Sequence, residues 1–179
     1  MIIGFAVRFT LPVLTCYGES YVVSRTSRSA ALARVRITHD LEVRMGLAER
    51  RSVERFKNDD YPGWKSRIDE AAGFEVPVEV AWQELAVADY ADRYAEYFPQ
   101  VYFQPLVDAL SAVAADDLGK EALREGMSKV VIRNTGEFFS PSGISFTDGV
   151  LTFDHMSDTN THHGEERTKV LQDVLESAL

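Results

Sequence analysis

The segment Ile144–Asp154, read as I-S-F-T-D-G-V-L-T-F-D, spells out a β-hairpin. Asp148-Gly149 suits a two-residue type I′ turn, because both of its central residues need φ > 0. That turn sets Phe146 opposite Leu151 and Ile144 opposite Phe153, with all four side chains on one face. Ser145 and Thr152 fall on the other. A slip of one residue would scatter the apolar set, so the register is well specified. A chain carrying this hairpin must build a sheet with one buried face and must find something to cover it.

The cover is legible as helices. Ala48–Phe56 carries helix formers, with Val53 and Phe56 as its apolar positions. Asn58–Gly63 predicts a turn, with Asp60 as the N-cap of a short helix to about Ala72 that Gly73 terminates. Residues 86–98 predict a helix bearing Tyr90, Tyr94, Tyr97 and Phe98, and Pro99 ends it or starts the next turn. Pro105 then opens another helix, with Leu106, Ala109, Leu110 and Val113 at helical spacing. Asp116 or Asp117 caps a further one that closes at Gly126, and Val170, Leu171, Val174, Leu175 and Ala178 form the stripe of a C-terminal helix.

Two more strands complete the sheet. Phe74, Val76, Val78, Val80 and Trp82 alternate with polar or small residues, which predicts a half-buried strand. Pro77 lacks an N–H, so this strand belongs at an edge, with that position turned away from its neighbour. Lys129–Arg133 is a short strand around a Val-Val-Ile core. The order is helices, one strand, helices, three strands, helix. Such blocks indicate an α+β class. The expectation is a mainly antiparallel sheet of about four strands, covered by helices on one face, with the C-terminal helix packed on the hairpin.

Residues 1–44 do not resemble the remainder. From Met1 to Lys57 there are 10 Lys and Arg against 5 Asp and Glu, and nine of the ten are arginine. The rest of the chain has 9 basic against 23 acidic residues. Within Ala33–Met45 strand-like and helix-like periodicities conflict, which argues against a well-specified element. The apolar run Met1–Thr15 is interrupted by Arg8 and Pro12 and has no signal-peptide flanks, and it is too short to span a bilayer. The expectation is an atypical N-terminal extension over 1–44, disordered or outside the natural fold, followed by a single α+β domain over 45–179. A packed arm and a secretion or lipidation signal remain as alternatives.

Charge and cysteine content narrow the functional classes. The net charge of −9 disfavours nucleic acid, because phosphate contacts need a basic surface. Nothing in the organised part points to a membrane. The single cysteine, Cys16, rules out an intramolecular disulfide and fits a reducing, cytoplasmic compartment. No Gly-rich phosphate loop, G-x-S-x-G elbow or Cys-His pair is present, so no cofactor and no assembled catalytic motif are expected.

Two clusters could carry function. The polar segment Asp154–Glu166 holds three of the four histidines. Its His155, Asp158, His162 and His163 are the right residue types for zinc or manganese, and would serve a metal-dependent hydrolase. Their spacing matches no pattern that fixes a geometry, and a loop leading into a helix capped near Thr161 explains the same residues. The second cluster is aromatic: Tyr90, Tyr94, Tyr97 and Tyr102 lie among Asp89, Asp92 and Glu96. Tyrosine joins an apolar body to a polar tip, which suits protein contacts. The expectation is a non-enzymatic module that binds a protein partner, a basic one, in the manner of an immunity protein or antitoxin. A small-ligand site between helices and sheet is the third possibility.

Overall fold

A computed structural model describes residues 46–179, so the expectations for residues 1–44 lie outside the described residues. The described chain is α+β with a four-stranded sheet of order β1-β2-β4-β3. The strands are β1 (Val78–Val80), β2 (Lys129–Arg133), β3 (Ile144–Thr147) and β4 (Val150–Asp154).

The hairpin has the expected register. Phe146 faces Leu151 and Ile144 faces Phe153, and the turn residues Asp148 and Gly149 have φ of 52° and 77°. Leu151, Phe153 and Ile144 are buried, Phe146 is half-buried against the same core, and Ser145 and Thr147 are exposed.

The sheet is mixed, not mainly antiparallel. β1 runs parallel to β2, and β2 runs parallel to β4; only β3 and β4 are antiparallel. The physical cause is the crossover. Parallel neighbours need a long connection, and the helical stretch between Val80 and Lys129 supplies one. The strand that precedes the helical block therefore pairs with the strand that follows it. β3 takes the far edge and leaves β4 beside β2.

β1 is an edge strand, as expected, but only Val78–Val80 pair. Pro77 does not turn away from its neighbour. Its carbonyl accepts from Val130 N at 2.8 Å, so the missing N–H falls on the paired side and the ladder starts just after it.

The helical layer departs most from the expectation. Leu47–Arg55 (α1) and Tyr61–Ala72 (α2) are joined by a π turn over Phe56–Asp60, not by a loop. Asp60 makes no side-chain cap. Similarly, Tyr94–Phe98 (α4) does not end at Pro99. It passes through a second π turn, Pro99–Phe103, into Gln104–Val113 (α5), with right-handed helical dihedrals at each junction.

Both π turns end two residues before a proline. Tyr61 N–H donates to Phe56 C=O and Gln104 N–H donates to Pro99 C=O, each five residues back. Pro62 and Pro105 have no N–H to offer the carbonyl four residues back, and their rings crowd it. Widening the turn accommodates that defect inside a helix instead of ending it.

The widened turns place aromatic side chains in the core. Phe56 stacks on Phe103 at 5.8 Å with a 15° interplanar angle and meets Phe98 edge-on at 5.3 Å. Trp82 opens the short helix α3 (Trp82–Leu85) and meets Tyr61 edge-on at 4.9 Å. Residues 86–93, expected to be helical, are turns, with Asp89 at φ 68°. Asp116 caps α6 (Asp117–Gly126) by accepting from Gly119 N at 2.8 Å. The C-terminal helix α7 spans Gly164–Ala178 and buries Leu171 and Leu175. No helix among the described residues is long and apolar enough to cross a membrane.

The hairpin can be tested by denaturant unfolding. Leu151→Ala should cost about 2–5 kcal/mol through lost burial and a residual cavity. Thr147→Ala, on the exposed face, should stay within about 0.5 kcal/mol. Gly149→Ala should cost about 1–3 kcal/mol, because it forces φ > 0 on a residue with a Cβ. That Cβ would also lie 2.8 Å from the Gly126 carbonyl oxygen.

Candidate functional site

The polar segment begins where β4 leaves the sheet. Asp154 is buried, and its carboxylate accepts from Thr135 N at 2.9 Å and Thr135 Oγ1 at 2.8 Å. Arg133 Nε stands 3.8 Å from the same carboxylate and 3.3 Å from Glu84. His155 is fully buried. Its Nδ1 lies 2.7 Å from the Met156 carbonyl, so Nδ1 carries the proton. The His155 carbonyl accepts from the Tyr102 hydroxyl. Ser157 Oγ donates to Leu85 O at 2.7 Å, and Asn160 Nδ2 donates to Phe139 O at 2.7 Å.

Arg167 closes this end of the molecule. It is fully buried on α7, and its guanidinium donates to the carbonyls of Asn160 at 2.9 Å, Thr161 at 3.1 Å and Gln100 at 3.3 Å. Among the described residues no carboxylate lies within ion-pair distance of it. Burial lowers its pKa, but a guanidinium still stays protonated. One cation thus gathers two carbonyls of the loop and one of the second π turn.

The same burial sets the other titrations. Burial lowers the His155 pKa; the Met156 hydrogen bond opposes that and the Arg167 charge reinforces it. Burial, and then the Asp154 charge, hold the Tyr102 phenol well above its usual range, so it remains a donor. Among the described residues, His155 Nε2 and Arg167 Nε are buried without hydrogen-bond partners.

The four residues singled out as metal ligands are not brought together. His155 is buried with Nδ1 engaged, Asp158 is half-buried, and His162 and His163 are exposed. His163 pairs with Glu166 at 3.2 Å. Among the described residues no three His, Cys, Asp or Glu side chains are placed to hold a metal ion. Thr161 does not cap α7 either. The N-cap is His163, which makes no side-chain cap bond.

The tyrosines divide into two pairs. Tyr94 and Tyr102 are core residues with bonded hydroxyls, so neither can meet a partner. Tyr90 is 38% exposed and Tyr97 is half-buried, with their rings 6.0 Å apart. Between β1 and α4 the loop that carries Tyr90 is tied down at three points. Tyr94 Oη donates to Val87 O at 2.7 Å, Ser52 Oγ donates to Ala91 O at 2.5 Å, and Asp89 N donates to Glu49 Oε1 at 3.3 Å. Burial, with Glu49 nearby, pushes the Tyr94 phenol up to about 12, so this donor persists at any physiological pH.

A groove of about 840 Å³ runs between α5 and the start of α7. Trp64, Gln100, Gln104, His162, Glu165 and Lys169 line it. Its walls mix both charges, and Arg67 already lies 4.5 Å over the Trp64 ring.

Arg167 was not among the residues the sequence singled out, although a signal existed. It stands four residues before Leu171, so the apolar stripe of α7 runs straight back onto it. Ser52 and Glu49 offered no comparable signal, because they act on a loop some forty residues away.

Comparison with protein-family models, with curated proteins and with solved structures returned no match.

Arg167→Leu should cost about 3 kcal/mol in denaturant unfolding, since three carbonyls lose the charge-assisted donors of a buried guanidinium. Arg167→Lys should recover only part of this, because one ammonium cannot span all three positions. Unchanged stability in Arg167→Leu would show that the guanidinium does not hold the loop.

Proposed function

We propose that this domain is a non-enzymatic protein-binding module. It engages a basic partner through Tyr90 and Tyr97, set among Asp89, Asp92 and Glu96. The observation that carries this reading is the tethering of the Tyr90 loop. Its carbonyls at Val87 and Ala91 and its amide at Asp89 are each held by a side chain from another part of the fold. A loop pinned in this way presents its exposed tyrosine at low entropic cost on binding. Asp89 keeps a left-handed conformation uncommon for a residue with a Cβ, and such strain concentrates at functional positions.

The charge supports the same partner chemistry. Asp89, Asp92 and Glu96 are all exposed, with Arg93 as the cation among them, paired at 3.6 Å with Glu96. An acidic surface speeds encounter with a basic partner and repels phosphate, so a protein fits better than nucleic acid. An immunity-like or antitoxin-like role in the cytoplasm is consistent with such a surface and needs no cofactor. The groove between α5 and α7 favours a second reading, a small-ligand site, but its mixed walls select no ligand class.

The test compares capture from native lysate by the wild-type chain and by Tyr90→Ala/Asp92→Lys. At about 0.01 M salt, where charges act over about 30 Å, the wild type should retain a protein that the variant does not. At about 1 M salt, where the range falls to about 3 Å, the wild type should release it. Identical capture by both chains, or none by either, would count against this surface.

A further inference from the structure

We propose that the loop over residues 155–163 is an acid-released latch: proton uptake by the buried His155 beside Arg167 opens the loop while the sheet stays folded. The inference is independent of the partner-binding surface, which lies on another part of the fold.

The geometry makes His155 a poor place for a second proton. The imidazole has no solvent exposure, and Nδ1–H already donates to Met156 O. The free ring nitrogen is Nε2, which is buried and has no partner among the described residues. A proton placed there creates a buried N–H with no acceptor and a second cation near Arg167. Arg167 cannot respond by losing its own proton.

The groups around His155 come from every neighbouring element. Tyr102 from the second π turn donates to its carbonyl and stays protonated. Asp154, preceding it on β4, and Asp158, in the loop, favour the protonated form, while burial and Arg167 oppose it, burial being the largest influence. The Asp154 carboxylate is already engaged by Thr135 and faces Arg133, which also pairs with Glu84. The balance keeps the closed-state pKa below the ordinary value.

The sign of the effect follows from that balance. In the open loop His155 titrates near its ordinary value of about 6.5. In the closed loop its pKa is lower. The closed form is therefore fully favoured above about pH 6.5. As pH falls below that value, the ratio of open to closed rises about tenfold per pH unit, until the closed-state pKa is reached. Opening carries Thr161, His162 and His163 away from Gln100 and Gln104, which removes one wall of the groove.

Hydrogen exchange of the full chain, read by mass spectrometry at about pH 7.5 and about pH 5, tests the latch after correction for intrinsic rates. In the wild type, residues 155–163 should lose protection at the lower pH, by no more than about tenfold per pH unit below about 6.5, while β2 and β4 keep theirs. His162→Gln/His163→Gln should behave like the wild type, and His155→Gln should lose the pH dependence. Loss in the wild type that persists in His155→Gln, or loss spread evenly over the sheet, would overturn the proposal. If His155→Gln does not fold, imidazole NMR of the wild type decides. The His155 titration should lie below the ordinary histidine value of about 6.5, with exchange rising between that value and the His155 midpoint. A His155 midpoint at or above about 6.5 would overturn it.

Discussion

The stack of Phe56 on Phe103 is the contact on which the helical layer depends. Each ring belongs to a π turn, and each π turn exists because a proline follows it at a spacing the α-helix cannot accept. In an α-helix, three consecutive residues cannot all face one side. In the second π turn Val101, Tyr102 and Phe103 are all fully buried. The wider turn lets Phe103 reach the aromatic cluster while Tyr102 reaches the end of β4.

From this helical run the two functional candidates take their positions. Tyr94 holds the Tyr90 loop at one end, and Tyr102 with the Gln100 carbonyl holds the polar loop at the other. In both cases a side chain donates to a loop carbonyl that secondary structure leaves unpaired, which is how irregular backbone becomes tolerable near a core. The polar loop adds a buried charge that no carboxylate among the described residues neutralises. Arg167 satisfies three carbonyls at once, and its cation is what sets the protonation of His155 against the fold. The histidine-rich segment is in this sense an anchor first, and of its three histidines only His162 and His163 are exposed.

Much of the sheet was legible from local pattern. The Asp-Gly turn and the alternation around it carry the hairpin register, because a period of two and a turn that needs φ > 0 admit one pairing. The Val-Val-Ile strand and the stripe at Leu171 and Leu175 follow from equally local signals. Strand direction did not, because it depends on which strands meet across the helical block. The π turns were hidden for a similar reason. Proline in a helical pattern reads as a boundary, and only tertiary burial of Phe56 and Phe103 shows that the helix continues. Tyr90, Tyr94, Tyr97 and Tyr102 follow one another at intervals of three to five residues, and spacing alone cannot separate a core ring from a surface one. Arg167 sat on a visible stripe, but its charge argued for solvent, and only the converging carbonyls account for its burial.

A double-mutant cycle between Phe56 and Phe103, each changed to Leu, tests the central contact most directly. Direct stacking of the two rings predicts a coupling energy of about 0.5–1.5 kcal/mol in denaturant unfolding, beyond the sum of the single losses. Effects that add to within about 0.3 kcal/mol would mean that the rings do not meet, and that the two π turns are not joined as described.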